Sequence, residues 1–196
     1  MFLNQSLKSY LEKLSSESPT PGGGGTSAYV GALGAALGIM VGSITIKKLE
    51  GESKEKLSET IQLLKQLEVN MASVVDSDPE VFEELMARYK ALKTSSDTER
   101  AKQEIEKALE LSYKMQETLA ASICETKKLI CKVGEHAKKS IRNDLIVASA
   151  LLDGAFVGAC ATARINVVSL TDSTIKQRCE DILSSLEKSF KEIQFK

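Results

Sequence analysis

The chain has no tryptophan, three prolines and a single histidine, His136. One histidine excludes a histidine-built metal site, and no carboxylate spacing points to magnesium, so no metal is expected. Aromatic residues make up 5% of the chain, which leaves little for stacking nucleic-acid bases. A net charge of −1 supplies no global field towards nucleic acid or an anionic membrane. The four cysteines, Cys124, Cys131, Cys160 and Cys179, show neither CxxC nor zinc-type spacing. They read as reduced thiols of a cytoplasmic protein. Sustained two-residue alternation is also missing, which argues against strands.

What is present is a 29-residue run without a charge, Ser18 to Ile46. It opens with prolines and four glycines, Gly22 to Gly25. Polyglycine is entropically costly to order, so something must approach that backbone closely. The sequence then predicts a helix over about 26–46, with small residues at Ser27, Gly31, Ala35, Gly38 and Gly42 on one seam. Val30, Leu33, Leu37, Val41 and Ile44 cover the rest, making the helix apolar nearly all round. A second small-residue stretch, 145–163, carries only Asp153 and lies in a helix expected from Asn143-Asp144 to about Leu170. Either could span a membrane by length. Weak hydrophobicity, Asp153 and the charged remainder favour burial inside a soluble helical protein. The first run also starts too far along, behind acidic residues, for a signal peptide.

The other periodicities are helical. Leu7, Tyr10, Leu11 and Leu14 mark a short amphipathic helix. Leu57, Ile61, Leu64, Leu67 and Met71 line another that ends near Ser77. Asp78-Pro79 reads as a cap and first-turn proline of a new helix. After a turn at Thr94 to Asp97, a long helix reaches about Glu135 with Ile105, Leu109, Ser112, Met115, Leu119, Ile123, Leu129 and Ile130 inward, and Asp172 or Thr171 starts the last. The expectation is an all-α bundle of six to seven helices, one domain over 1–196. A small bundle rarely buries two all-round apolar helices, so a homodimer is expected, with the glycine and alanine seams packed across its interface.

Pro21-Gly22-Gly23-Gly24, followed by Gly31-Ala-Leu-Gly-Ala-Ala-Leu37, resembles the opening signature of the formiminotetrahydrofolate cyclodeaminase and methenyltetrahydrofolate cyclohydrolase family. Asp78-Pro-Glu-Val-Phe82, Asn143-Asp144-Leu145 and Arg164-Ile165-Asn166 resemble further family segments in the expected order. The likeness runs from about residue 5 to 190. It implies an all-α cytoplasmic dimer acting on a one-carbon derivative of tetrahydrofolate, without a tightly bound cofactor, nucleic acid or membrane. Such an enzyme either expels ammonia from a formimino group while closing the ring, or opens the methenyl ring with water. Three departures remove polar groups: Gly25 replaces a serine, Thr162-Ala163 an Asn-Val, and Ser43-Ile44 an Asn-Leu. They leave open a non-catalytic helical dimer that binds folate or a partner protein.

The resemblance implies substrate contacts from Pro21, Gly22, Gly23, Gly24, Gly25, Ser27, Lys47 and Asn166, and catalytic roles for Asp144 and Arg164. Each has a plainer reading. The glycines equally suit a tight helix crossing, and Asp144 a helix cap. Arg164 equally suits a pair with Asp172 or Asp153, Asn166 a partner for buried backbone, and Lys47 a side chain snorkelling from a helix end. Asp78 reads as a cap. Asp144 and Arg164 lie roughly 30 Å apart on one helix, at 1.5 Å per residue. Antiparallel buried helices would bring the glycines to Arg164 and Asn166, and Lys47 to Asp144. The site is expected at or beside the dimer interface.

Overall fold

A computed structural model describes residues 1–195. Its six helices are α1 (Leu7–Leu14), α2 (Gly23–Thr45), α3 (Gly51–Leu92), α4 (Thr98–His136), α5 (Arg142–Ser169) and α6 (Ser173–Lys191). Two 3₁₀ turns, Ile46–Lys48 and Lys139–Ile141, lead into α3 and α5. No strand forms among the described residues, and the all-α expectation holds.

Helices α2 to α5 make a four-helix bundle, with α6 packed on α4 and α5. Gly31 meets Met71 of α3 and Ile123 of α4, while Gly38 meets Leu64 and Ile130. These pairings run α2 antiparallel to α3 and parallel to α4. Gly23 approaches Thr162 and Gly34 approaches Leu152, so α2 and α5 are antiparallel. The core is built on the predicted stripes: Leu57, Leu64, Met71, Leu119, Ile123 and Ile130 are sealed from solvent.

The small-residue seam of α2 therefore has a different job from the one expected. Side chains of α3 and α4 fill it within the protomer: Met71 and Ile123 at Gly31, Ile130 at Gly38, Ile61 at Gly42. Close packing leaves no room there for a second chain. What remains outside is the larger-residue face. Leu33, Met40 and Ile44 of α2 and Ile146, Val147, Val157, Ile165 and Val168 of α5 are exposed. Both helices are long and apolar enough to cross a membrane by length and composition, with less than half of each apolar window buried. Neither is buried all round in one protomer.

Two boundaries differ from the sequence reading. The glycines form no loop: Gly22 is the N-cap of α2 and Gly23 to Gly25 its first turn. Residues 51–92 form one helix, with Pro79 inside it. Proline has no N–H for the carbonyl four residues back, that of Val75. Gly25 packs there: a Cβ on it would stand 3.3 Å from the Val75 oxygen. Tertiary packing of α3 against the first turn of α2 overrides the local stop signal.

The predicted starts of α4 and α6 are present. Asp97 accepts from the Arg100 N–H, and Asp172 accepts from the N–H groups of Thr174 and Ile175.

Candidate active site

The start of α2 has no side-chain cap of its own. A carboxylate from another helix supplies one. Asp78 Oδ2 accepts the Gly25 N–H at 2.9 Å, and Gln116 Nε2 of α4 donates to Asp78 Oδ1 at 2.7 Å. The negative charge sits against the positive end of the α2 dipole. A Cβ on Gly24 would run into both Asp78 and Gln116. The close approach that polyglycine signals is thus made first by the protein's own polar side chains.

A cavity of about 310 Å³ lies alongside. Pro19, Thr20, Gly22, Gly23 and Gly24 form one wall, and Asp78, Phe82, Leu85, Met86 and Tyr89 of α3 a second. Leu109, Ser112, Met115 and Gln116 of α4, with Thr162, Ile165, Asn166 and Ser169 of α5, complete it. The lining is mainly apolar, with few polar groups gathered near the start of α2, as suits a flat heterocycle that must be oriented. Asn166 donates Nδ2 to the Thr162 carbonyl at 3.2 Å, which leaves its amide oxygen for other partners.

Asp78 is half-buried. Burial lifts its carboxyl above the ordinary aspartate range, and the Gly25 N–H and Gln116 amide oppose that rise. A carboxyl so poised can take and return a proton closer to neutrality than a surface aspartate. Gln116 is 1% exposed, and its Oε1 has no partner among the described residues.

The expected site residues divide. Gly22, Gly23, Gly24 and Asn166 line the cavity. Pro21, buried behind the cis Thr20–Pro21 peptide, does not. Gly25 contributes its N–H to Asp78 rather than a wall. Ser27 faces α5: its hydroxyl donates to the Gly23 carbonyl, and a Cβ on Gly158 would strike it. Lys47 is exposed in the 3₁₀ turn beyond α2, roughly 35 Å from the glycines at 1.5 Å per residue. Asp144 sits in the first turn of α5, at the same far end, and does not line the cavity.

Arg164 turns the other way, towards α6. Its Nη1 donates to Glu187 at 2.7 Å and its Nε to Glu180 at 3.4 Å. These carboxylates hold its pKa above the ordinary guanidinium value. Its partners are neither Asp172 nor Asp153; the latter pairs with Lys127. Of the three departures, only Thr162 borders the cavity. Thr45, two residues after Ser43, bonds the Val41 carbonyl at the distant end.

Two functional candidates stand outside the expected site list. Asp78 reads from the sequence as a helix cap, because the proline behind it imitates a helix start. Gln116 left a fainter signal: an amide on the apolar stripe between Ser112 and Leu119, where an unexplained polar residue marks a core network.

The family model described as formiminotransferase-cyclodeaminase matches residues 6–185. The formimidoyltransferase-cyclodeaminases of Gallus gallus and Rattus norvegicus are 27% and 26% identical to this chain over 92% and 94% of it. The chain spans 34% of the length of each. A methenyltetrahydrofolate cyclohydrolase of Methylorubrum extorquens is 36% identical over half of this chain and 47% of its own length. The fold matches a crystal structure of a formiminotetrahydrofolate cyclodeaminase from Thermotoga maritima, with a TM-score of 0.85 at 23% identity. That match covers 97% of this chain and 92% of the other.

Proposed function

The chain belongs to the formiminotransferase-cyclodeaminase family, and on that premise we propose that the cavity at the start of α2 holds a one-carbon derivative of tetrahydrofolate, with Asp78 as its proton carrier. The observation that carries the reading is the position of Asp78. It is a half-buried carboxylate with a raised pKa, bonded to a helix N-terminus and bordering a cavity large enough for a heterocycle.

Two related reactions fit this site. In the deaminating one, the second folate nitrogen attacks the formimino carbon. The C–N bond to the terminal nitrogen then breaks, and Asp78 moves a proton so that ammonia departs. In the hydrolytic one, water attacks the methenyl carbon, Asp78 takes its proton, and a ring nitrogen leaves with a proton returned to it. Both pass through a tetrahedral carbon. Phe82, Met86 and Tyr89 wall the flat ring, and Asn166 and the α2 N-terminus orient its polar edge. No cofactor is needed beyond the substrate.

The test is direct. Purified protein is mixed with 5-formiminotetrahydrofolate or 5,10-methenyltetrahydrofolate and the methenyl absorbance followed. Acceleration of either change above the spontaneous rate supports the enzyme reading. Binding without acceleration leaves a folate-binding module instead.

A homodimer belongs to the same reading. Ile165 both lines the cavity and stands 70% exposed on the apolar face of α2 and α5. A second copy seated on that face would cover Leu33, Met40, Val157 and Val168 and close the cavity's rim. Light scattering without detergent should give twice the chain mass, and Val157→Glu should halve it; a particle soluble only in detergent would point to a membrane instead. The four free thiols, three of them buried, support a reducing, cytoplasmic setting.

A further inference from the structure

Gln116 is buried among Asp78, the start of α2 and the cavity, and only half of its amide is used. Nε2 donates to Asp78 Oδ1; Oε1, fully enclosed, meets no donor among the described residues. Turning the amide over would set its carbonyl against an ionised carboxylate and lose the one hydrogen bond the amide makes to Asp78, so this orientation is the better paired one. A buried carbonyl oxygen without a donor is costly and is retained where a ligand supplies the donor.

The neighbourhood specifies that donor. Each Asp78 oxygen takes one protein hydrogen bond and keeps a second acceptor position. Asp78 and Gln116 both line the cavity, so these acceptors and the buried Gln116 Oε1 belong to one part of its wall. Such a group is complementary to a nitrogen bearing hydrogens, and most of all to an amidine.

We propose that Gln116 Oε1 accepts an N–H of the ligand's one-carbon substituent, making Gln116 the residue that selects an amidine-type formimino group over a methenyl carbon, which carries no N–H. The assignment rests on the reading that this cavity holds the one-carbon end of a tetrahydrofolate derivative. The terminal nitrogen of a formimino group would lie between Asp78 and Gln116, where departing ammonia also keeps an acceptor.

One substitution and two ligands separate this role from support of Asp78. Gln116→Met removes both the donation to Asp78 and the Oε1 acceptor; loss of the donation touches both folates, and loss of the acceptor only the one whose one-carbon group bears an N–H. The measurement is kcat/KM for 5-formiminotetrahydrofolate and for 5,10-methenyltetrahydrofolate, with melting curves confirming that the variant folds. The expected result is a formimino-to-methenyl ratio that falls about tenfold or more in Gln116→Met, as the loss of one well-made hydrogen bond requires. Where only the formimino compound is turned over, the same contrast is read from calorimetric affinity for it and for 5-formyltetrahydrofolate, whose one-carbon group bears no N–H.

An unchanged ratio in Gln116→Met, with equal losses on both compounds, or a wild-type protein active on the methenyl form alone overturns the proposal while leaving the folate reading standing. A wild-type protein that turns over neither compound defeats the enzymatic reading. Calorimetric affinity for the formimino compound, in wild type and Gln116→Met, then decides: a tenfold loss supports the assignment, and equal or absent binding overturns it.

Discussion

Asp78 and Gly25 lie 53 residues apart, and the carboxylate Oδ2 of the first accepts the backbone N–H of the second at 2.9 Å. This bond joins the middle of α3 to the first turn of α2, and the cavity opens beside it. It makes a carboxylate on one helix the cap for the positive end of another.

Replacing Asp78 by asparagine preserves an acceptor for the Gly25 N–H but removes the proposed proton carrier. Turnover of the active folate should fall by about 100-fold or more, in the range for loss of a general acid or base. In the wild type the acidic limb of the pH profile of kcat/KM should lie above 3.8, the ordinary aspartate value, because burial raises the Asp78 carboxyl. Residual activity of the variant should lack that limb.

The same substitution should not cost stability. The folded pKa of Asp78 lies above its unfolded value, so folding favours the protonated form. Its contribution is fully present below pH 3.8 and is lost as pH rises through the raised value. The ionised carboxylate is therefore the less stable state, and at about pH 7 the melting temperature of Asp78→Asn should equal or exceed that of wild type. The advantage should shrink on acidification. A clear loss of stability at neutral pH would show that the charge earns its place through the α2 dipole.

Adjacent glycines should respond in opposite ways. A methyl group on Gly24 strikes Asp78 and Gln116. Gly24→Ala should destabilise the fold by about 1–3 kcal/mol, as overpacking does, and should abolish turnover by displacing Asp78. On Gly23 the nearest atom, Thr162 Oγ1, would be 3.6 Å away, an ordinary contact. Gly23→Ala should gain up to about 1 kcal/mol from helix propensity. Thermal denaturation of the pair measures the difference.

Asp144 and Arg164 are the residues the family resemblance nominated for catalysis, and both stand elsewhere. Asp144→Asn should keep kcat/KM close to wild type and lose only a few tenths of a kcal/mol of helix-dipole stabilisation. Arg164→Ala breaks the pairs with Glu187 and Glu180, but its side chain is 36% exposed. Solvent screening holds the loss to about 1 kcal/mol or less. Steady-state rates and melting curves of the two variants check both statements.

Much of the bundle was legible because its stripes are periodic. Leu57, Leu64, Met71 on α3 and Leu109, Leu119, Ile123 on α4 recur at helical spacing, and all are buried. Asp172 caps the last helix where its sequence context says it should. The errors have local causes. Pro79 carries the same signal whether it opens a helix or sits within one, and only the seat against Gly25 distinguishes the cases. The α2 seam reads equally well as a contact with another chain or with the protein's own Met71 and Ile130. Arg164 had several acidic partners within reach along the chain, and its actual partners lie on α6.

By itself the sequence determined the helical class, the family, the core stripes and the need for a close approach at Gly22 to Gly25, because these depend on periodicity, composition and the missing Cβ. Tertiary structure alone decided what makes that approach. The antiparallel packing of α3 on α2, with α4 alongside, brings Asp78 and Gln116 to the first turn of α2. It also carries Asp144 and Lys47 to the opposite end. Which side chains share one cavity is a matter of three-dimensional proximity, which chain spacing does not encode.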